Sequence, residues 1–161
     1  MIVLANSNIR VLEQVPKLDY FDSQAVVLPC EITPLDAWNL TMEAPRPILK
    51  FAFLVRDVIS AAFGVKAIRG FSGQQAKSVT AGENLDFFLV EYADDTALAL
   101  TERDRHLDVM TCISTNGPTL TITSSVRVHN VFGHVYMLPV GIAHRWLVRS
   151  MLKRLQTKLS T

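Results

Sequence analysis

The run Arg105-His106-Leu107-Asp108 holds the two side chains best suited to proton transfer. Alternate residues of a strand share a face, which groups His106 and Asp108 with Met110 and Cys112, and Arg105 and Leu107 with Val109. A carboxylate beside an imidazole holds one tautomer ready to act as general acid or base near neutral pH. Residues two apart on a strand lie about 7 Å from one another. A direct bond therefore depends on rotamers, and the competing reading is an ion-paired strand end beside Asp104. His144 is a second candidate, next to the apolar stripe of a C-terminal helix, where it serves as a pocket group or as a hydrogen-bonded packing residue. Arg127 and His129 continue the hydroxyl-bearing face of Thr119, Thr121, Thr123 and Ser125, opposite Leu120, Ile122, Val126 and Val128. That face is expected to point outward, with the two cations pairing across the hairpin to Asp108 or Asp104. No Cys/His cluster has metal-ligand spacing, and no GxSxG elbow or phosphate loop is present, so no metal or cofactor is expected.

The elements that must position these groups follow from periodicity. Residues 20–28 read as a first strand, closed by Pro29. Thr33-Pro34 starts a short helix to Met42, through a capping hydroxyl and a proline suited to the first turn. Leu49, Phe53, Ile59 and Phe63 recur near helical spacing up to Gly64, which predicts a second short helix. Residues 69–84 read as a long loop or an irregular strand crossing an open surface. Four β-type runs, 85–92, 96–102, 105–115 and 119–129, are joined by short polar links and predict an antiparallel meander. From Val140 to Leu159 the spacing is helical again, with Leu147, Met151, Leu155 and Leu159 on one stripe. An α+β fold with helices on one sheet face satisfies this order.

A chain of 161 residues with 49% hydrophobic and 19% charged residues suits one folded domain and excludes a disordered tail. Sixteen basic against fifteen acidic residues leave a net charge of +1, too little to attract nucleic acid. Cys30 and Cys112 suit reduced, core-packed thiols, and the N-terminus lacks a secretory signal pattern, so a cytoplasmic protein without a transmembrane segment is expected. Arg145, Arg149, Lys153, Arg154 and Lys158 make the tail basic, with no acid after Asp108. Such a helix can lie on an anionic membrane. The simpler expectation is that the acid-rich stretch from Glu83 to Asp108 balances it within the fold.

Several segments together resemble a bacterial domain-of-unknown-function family, number 2867, of the START and polyketide-cyclase-like helix-grip superfamily. They are Asp19-Tyr20-Phe21-Asp22, Val55-Arg56-Asp57, Asp104 to Asp108, Val126 to Asn130, Gly133-His134-Val135-Tyr136 and His144-Arg145. The likeness covers nearly the whole chain. It departs from the family pattern at Pro45, where Arg46 stands in place of a common tryptophan. The resemblance implies a helix-grip domain over residues 1–161: a curved antiparallel sheet wrapped around a long C-terminal helix, with two shorter helices after the first strand. It also implies an apolar cavity, expected to be lined by Phe51, Val55, Phe87, Leu89, Met110, His144 and Trp146. A module binding a small apolar molecule is the leading expectation. An enzyme (cyclase, dehydratase or hydrolase) using His106 with Asp108, or His144, is the alternative, and an interaction domain without a pocket is the third.

Overall fold

A computed structural model of the protein describes residues 1–43 and 74–160. The helix expected over Leu49 to Phe63, with Phe51 and Val55, lies outside the described residues.

The main sheet is antiparallel, six-stranded and curved. It contains β3 (Tyr20–Val27), β4 (Asn84–Leu85), β5 (Phe88–Ala93), β6 (Ala97–Arg103), β7 (Leu107–Asn116) and β8 (Thr119–Val128), in the order β3-β8-β7-β6-β5-β4. The meander expected from the polar links is present, and the first long strand closes onto the last. Asn116 pairs with Thr119 across Gly117-Pro118, and Gly117 adopts φ +56°, a left-handed conformation that glycine accepts without steric cost. Asp94 makes the β5–β6 turn by accepting the amides of Thr96 and Ala97 at 2.8 and 2.7 Å. Burial opposes its ionisation, yet these bonds and that from the Tyr92 hydroxyl hold the carboxyl at about 2.

Helix α1 (Pro34–Met42) starts as its residues require: Thr33 Oγ1 accepts the Asp36 amide at 3.1 Å, and Pro34 fills the first turn. Helix α2 spans Val131–Leu159 and so begins at Val131 rather than Val140. Asn130 caps it by accepting the Gly133 amide at 3.0 Å. Pro139 removes the rung to the Val135 carbonyl, but both residues face solvent, where water replaces the bond. At Gly133 and Gly141 the helix comes too close to its neighbours for a side chain. A Cβ on Gly133 would lie 2.7 Å from the His106 carbonyl oxygen, and one on Gly141 would lie 2.9 Å from Tyr20 Cε2.

Among the described residues, α1 and α2 lie on the concave sheet face. Leu98, Leu100, Ile113 and Leu120 pack there against Val148, Leu152 and Leu155 of α2 and Trp38 of α1. A second cluster, Leu107, Val126 and Val128 with Tyr136 and Met137, gathers towards the start of α2.

The convex face is covered where an open hydroxyl face was expected. A two-stranded ribbon, β1 (Ile2–Val3) and β2 (Arg10–Val11), accompanies it. The Arg10 amide donates to Cys112 Sγ and the Leu12 amide to Ser125 Oγ, at 3.2 and 3.1 Å. Met110, Cys112, Thr123 and Ser125 are thereby fully buried. Cys112 is core-packed as expected, but Cys30 is exposed, because it follows Pro29 in the link between β3 and α1.

Among the described residues, no ion pair joins the acid-rich stretch to the basic tail. Glu91 binds Arg103, and Asp108 binds His129. Arg145 instead pairs with Asp22 at 3.0 Å, and Lys158 with Glu43. Among the described residues, no helix is long and apolar enough to cross a membrane.

Candidate functional site

Between the sheet and the helices lies a cavity of about 240 Å³, lined by members of both apolar clusters. Its floor is the inward parity of the meander. Leu107, Val109, Thr111 and Ile113 of β7 stand opposite Val128, Val126, Ser124 and Ile122 of β8, and all but Val128 line the cavity. Its roof is the inner stripe of α2, from Phe132 through His144 to Met151. Trp38 and Thr41 of α1, with Phe87 and Phe88, close one side.

Four regions of this wall are polar. Thr111 and Ser124 are cross-strand neighbours in the middle of the floor. Ser124 Oγ is buried and has no hydrogen-bond partner. On the roof, His144 Nδ1 is likewise buried and unpaired. Burial pushes the His144 imidazole below its ordinary value, and Asp22 pulls weakly the other way, so the ring favours its neutral form. The Tyr20 ring meets His144 edge-on at 6.3 Å, while its hydroxyl donates to the Gly141 carbonyl at 3.0 Å. Burial and the nearby Asp22 carboxylate raise the Tyr20 hydroxyl above its usual value.

Glu102, Asp104 and His106 make the fourth polar region, near Phe132 and Tyr136. Asp104 Oδ1 accepts the amides of His106 and Leu107 at 2.6 and 2.9 Å and so shapes the turn into β7. His106 is held on both ring nitrogens. Arg105 Nε donates to Nε2 at 3.0 Å, and Nδ1 lies 2.9 Å from Nδ2 and 3.1 Å from Oδ1 of the Asn130 carboxamide. A guanidinium cannot accept, so Nε2 supplies the lone pair to Arg105, and Nδ1 meets the Asn130 carboxamide. Among the described residues, no group of three or more His, Cys, Asp or Glu side chains is placed to hold a metal.

A protein-family model described as "Protein of unknown function (DUF2867)" matches residues 14–151. The chain belongs to the DUF2867 family. Among curated proteins and among solved structures, nothing matches it significantly. All the cavity-lining residues of this DUF2867 chain, from Tyr20 to Met151, fall inside the matched span, whereas the β1–β2 ribbon precedes it.

The DUF2867 fold places the expected site residues unevenly. Phe87, His106 and His144 line the cavity. His106 and Asp108 are not brought together. His106 precedes β7, so strand parity does not govern it, and it turns into the cavity, while Asp108 stands on the outer face, 3.2 Å from His129 Nε2. Arg127 pairs with Glu13 at 2.9 Å and with Asp19. Met110 sits on the convex face beneath the N-terminal ribbon rather than in the cavity. Leu89 pairs with Thr101 on that outer face and is exposed, because the inward place in β5 belongs to Val90. Trp146 is exposed on the outer side of α2.

Thr111 and Ser124 do carry a signal in the sequence. Each interrupts an otherwise apolar inward set, Leu107-Val109-x-Ile113 and Leu120-Ile122-x-Val126-Val128, and their cross-strand register puts the two interruptions side by side. Tyr20 and Tyr136 carried no such mark, because an aromatic at a buried position is ordinary core.

Proposed function

We infer that this DUF2867 chain is a helix-grip module that binds a small, mainly apolar molecule carrying one hydrogen-bonding group. The observation that carries this reading is a largely apolar cavity whose lining includes Ser124 and His144, each with a buried polar atom, Oγ and Nδ1, that has no partner. Buried polar atoms are nearly always bonded, and leaving one unpaired costs about 1–3 kcal/mol. A ligand group reaching either atom recovers that energy. A volume of about 240 Å³ exceeds the roughly 150 Å³ that accommodates benzene and falls below the range for drug-sized ligands. A molecule of one or two rings, or a short branched chain, fits it. The sheet wrapped on a long C-terminal helix supports the helix-grip reading. Two free thiols suit a reducing cytoplasmic setting.

A second reading has one observation in its favour. His144 lines the cavity, favours its neutral form and keeps Nδ1 unbonded, which suits a general base better than His106, whose ring nitrogens are both engaged.

Native mass spectrometry of the full chain, followed by denaturation, tests the binding reading. The expected result is a stoichiometric small-molecule adduct, released on unfolding and absent from Ser124→Phe, which fills the floor. A clean mass from several expression hosts, together with no thermal shift from small phenols or short-chain alcohols, overturns it.

A further inference from the structure

The outer face of α2 changes character along its length. Val131, Val135, Leu138, Ile142 and Trp146 are each between 60% and 78% exposed. Their steps of four, three, four and four keep them on one stripe, and Arg149 and Lys153 continue it; at 100° per residue all seven fall within about 80° of arc. The stripe is apolar for about 17 Å, from Val131 to Ile142. It then passes through an indole into cations. Arg145 and Lys158 are paired to Asp22 and Glu43, but Arg149, Lys153 and Arg154 have no carboxylate partner among the described residues. The helix contains no Asp or Glu.

We propose that this face of α2 docks the protein peripherally on an anionic lipid bilayer, with the Val131–Ile142 stripe in the acyl boundary, Trp146 at headgroup level and Arg149 and Lys153 on the phosphates.

The order of residues along the stripe is the order of layers in a bilayer interface: hydrocarbon, an aromatic belt, then lipid phosphates reached by long basic side chains. A tilt of the helix places its apolar half deeper and its basic half shallower. The helix lies on the membrane rather than crossing it, because its opposite face is buried against the sheet. A second copy fits this face poorly. Parallel pairing stacks cation on cation, and antiparallel pairing sets Arg149 and Lys153 against apolar side chains with no acid to meet them. Five side chains also cover only a few hundred Å², less than the roughly 800 Å² per partner of a standard interface.

Two tryptophans make the test direct, since Trp38 is buried and Trp146 is exposed. The full chain is titrated with phosphatidylcholine vesicles containing phosphatidylserine, and with pure phosphatidylcholine vesicles, following tryptophan emission and co-sedimentation. The expected result is a blue shift and sedimentation with the anionic vesicles only, weakened by salt. Leu138→Asp with Ile142→Asp abolishes both signals. Arg149→Glu with Lys153→Glu lowers partitioning about tenfold or more. These side chains are exposed, so the variants keep the fold, which circular dichroism checks. No shift with anionic vesicles, an equal response to pure phosphatidylcholine, or a lipid-free dimer that buries Trp146 overturns the proposal.

Discussion

Tyr20 and Gly141 are fitted to each other twice: the tyrosine hydroxyl donates to the Gly141 carbonyl at 3.0 Å, and the space of the missing Cβ is taken by the tyrosine ring. Alanine exceeds glycine in helix propensity by about 1 kcal/mol. Gly141→Ala should nevertheless destabilise by about 1–3 kcal/mol, because a Cβ 2.9 Å from Tyr20 Cε2 forces the sheet away from the helix. Gly133→Ala should be worse, since one obstacle is the His106 backbone carbonyl, which cannot swing aside. Urea denaturation of both variants checks the order. A stabilised Gly141→Ala would show that the close approach is not maintained.

Ser124→Ala separates stability from binding. Removing an unpaired buried hydroxyl should leave the ligand-free protein unchanged or up to about 1 kcal/mol more stable. The same change should weaken retention of any cavity ligand. Thermal melts with and without the bound molecule measure both, and a loss of stability in the ligand-free state would mean that the hydroxyl already has a partner.

His144 makes stability depend on pH in a defined direction. Burial lowers its folded-state value below the 6.5 of the free imidazole. In the window between the two values the unfolded chain binds a proton that the folded chain refuses, so this contribution is complete above 6.5 and declines as pH falls below it. Urea midpoints taken at about pH 7.5 and about pH 5.5 should fall less in His144→Gln than in wild type. Equal falls in the two proteins would contradict the assignment.

His106 and Asp108 should behave as strangers. Asp108→Ala removes a partly exposed pair with His129 and should cost less than about 1 kcal/mol. His106→Ala removes bonds to Asn130 and Arg105 at a buried position and should cost about 1–3 kcal/mol. A double-mutant cycle between them should close within about 0.5 kcal/mol, and a larger coupling would restore the dyad.

The thiols should differ sharply. Burial raises the Cys112 thiol above its ordinary value, with the Arg10 amide and charge opposing, whereas Cys30 is exposed. A thiol reagent should modify one cysteine per folded chain and two after unfolding. Two fast equivalents in the folded state would mean that the N-terminal ribbon opens.

Local patterns determined much of this protein. Thr33-Pro34 started a helix, the polar links between β5 and β8 made hairpins, and alternation in β7 and β8 sorted residues correctly into two sets, because capping, turn geometry and side-chain period are properties of neighbouring residues. Alternation names the sets but not what lies on either side of the sheet. Only tertiary contact decided that the Met110 and Ser125 side is sealed by the N-terminal ribbon, and that Thr111 and Ser124 meet inside a cavity. His106 escaped the strand rule by preceding β7, and so lost Asp108 and gained Asn130. Gly133, Pro139 and Gly141 are weak helix formers by local propensity, and the helical spacing is legible only from Val140. The helix runs through them because two of these positions must lack a side chain where the sheet touches, and the third gives up its hydrogen bond where water replaces it.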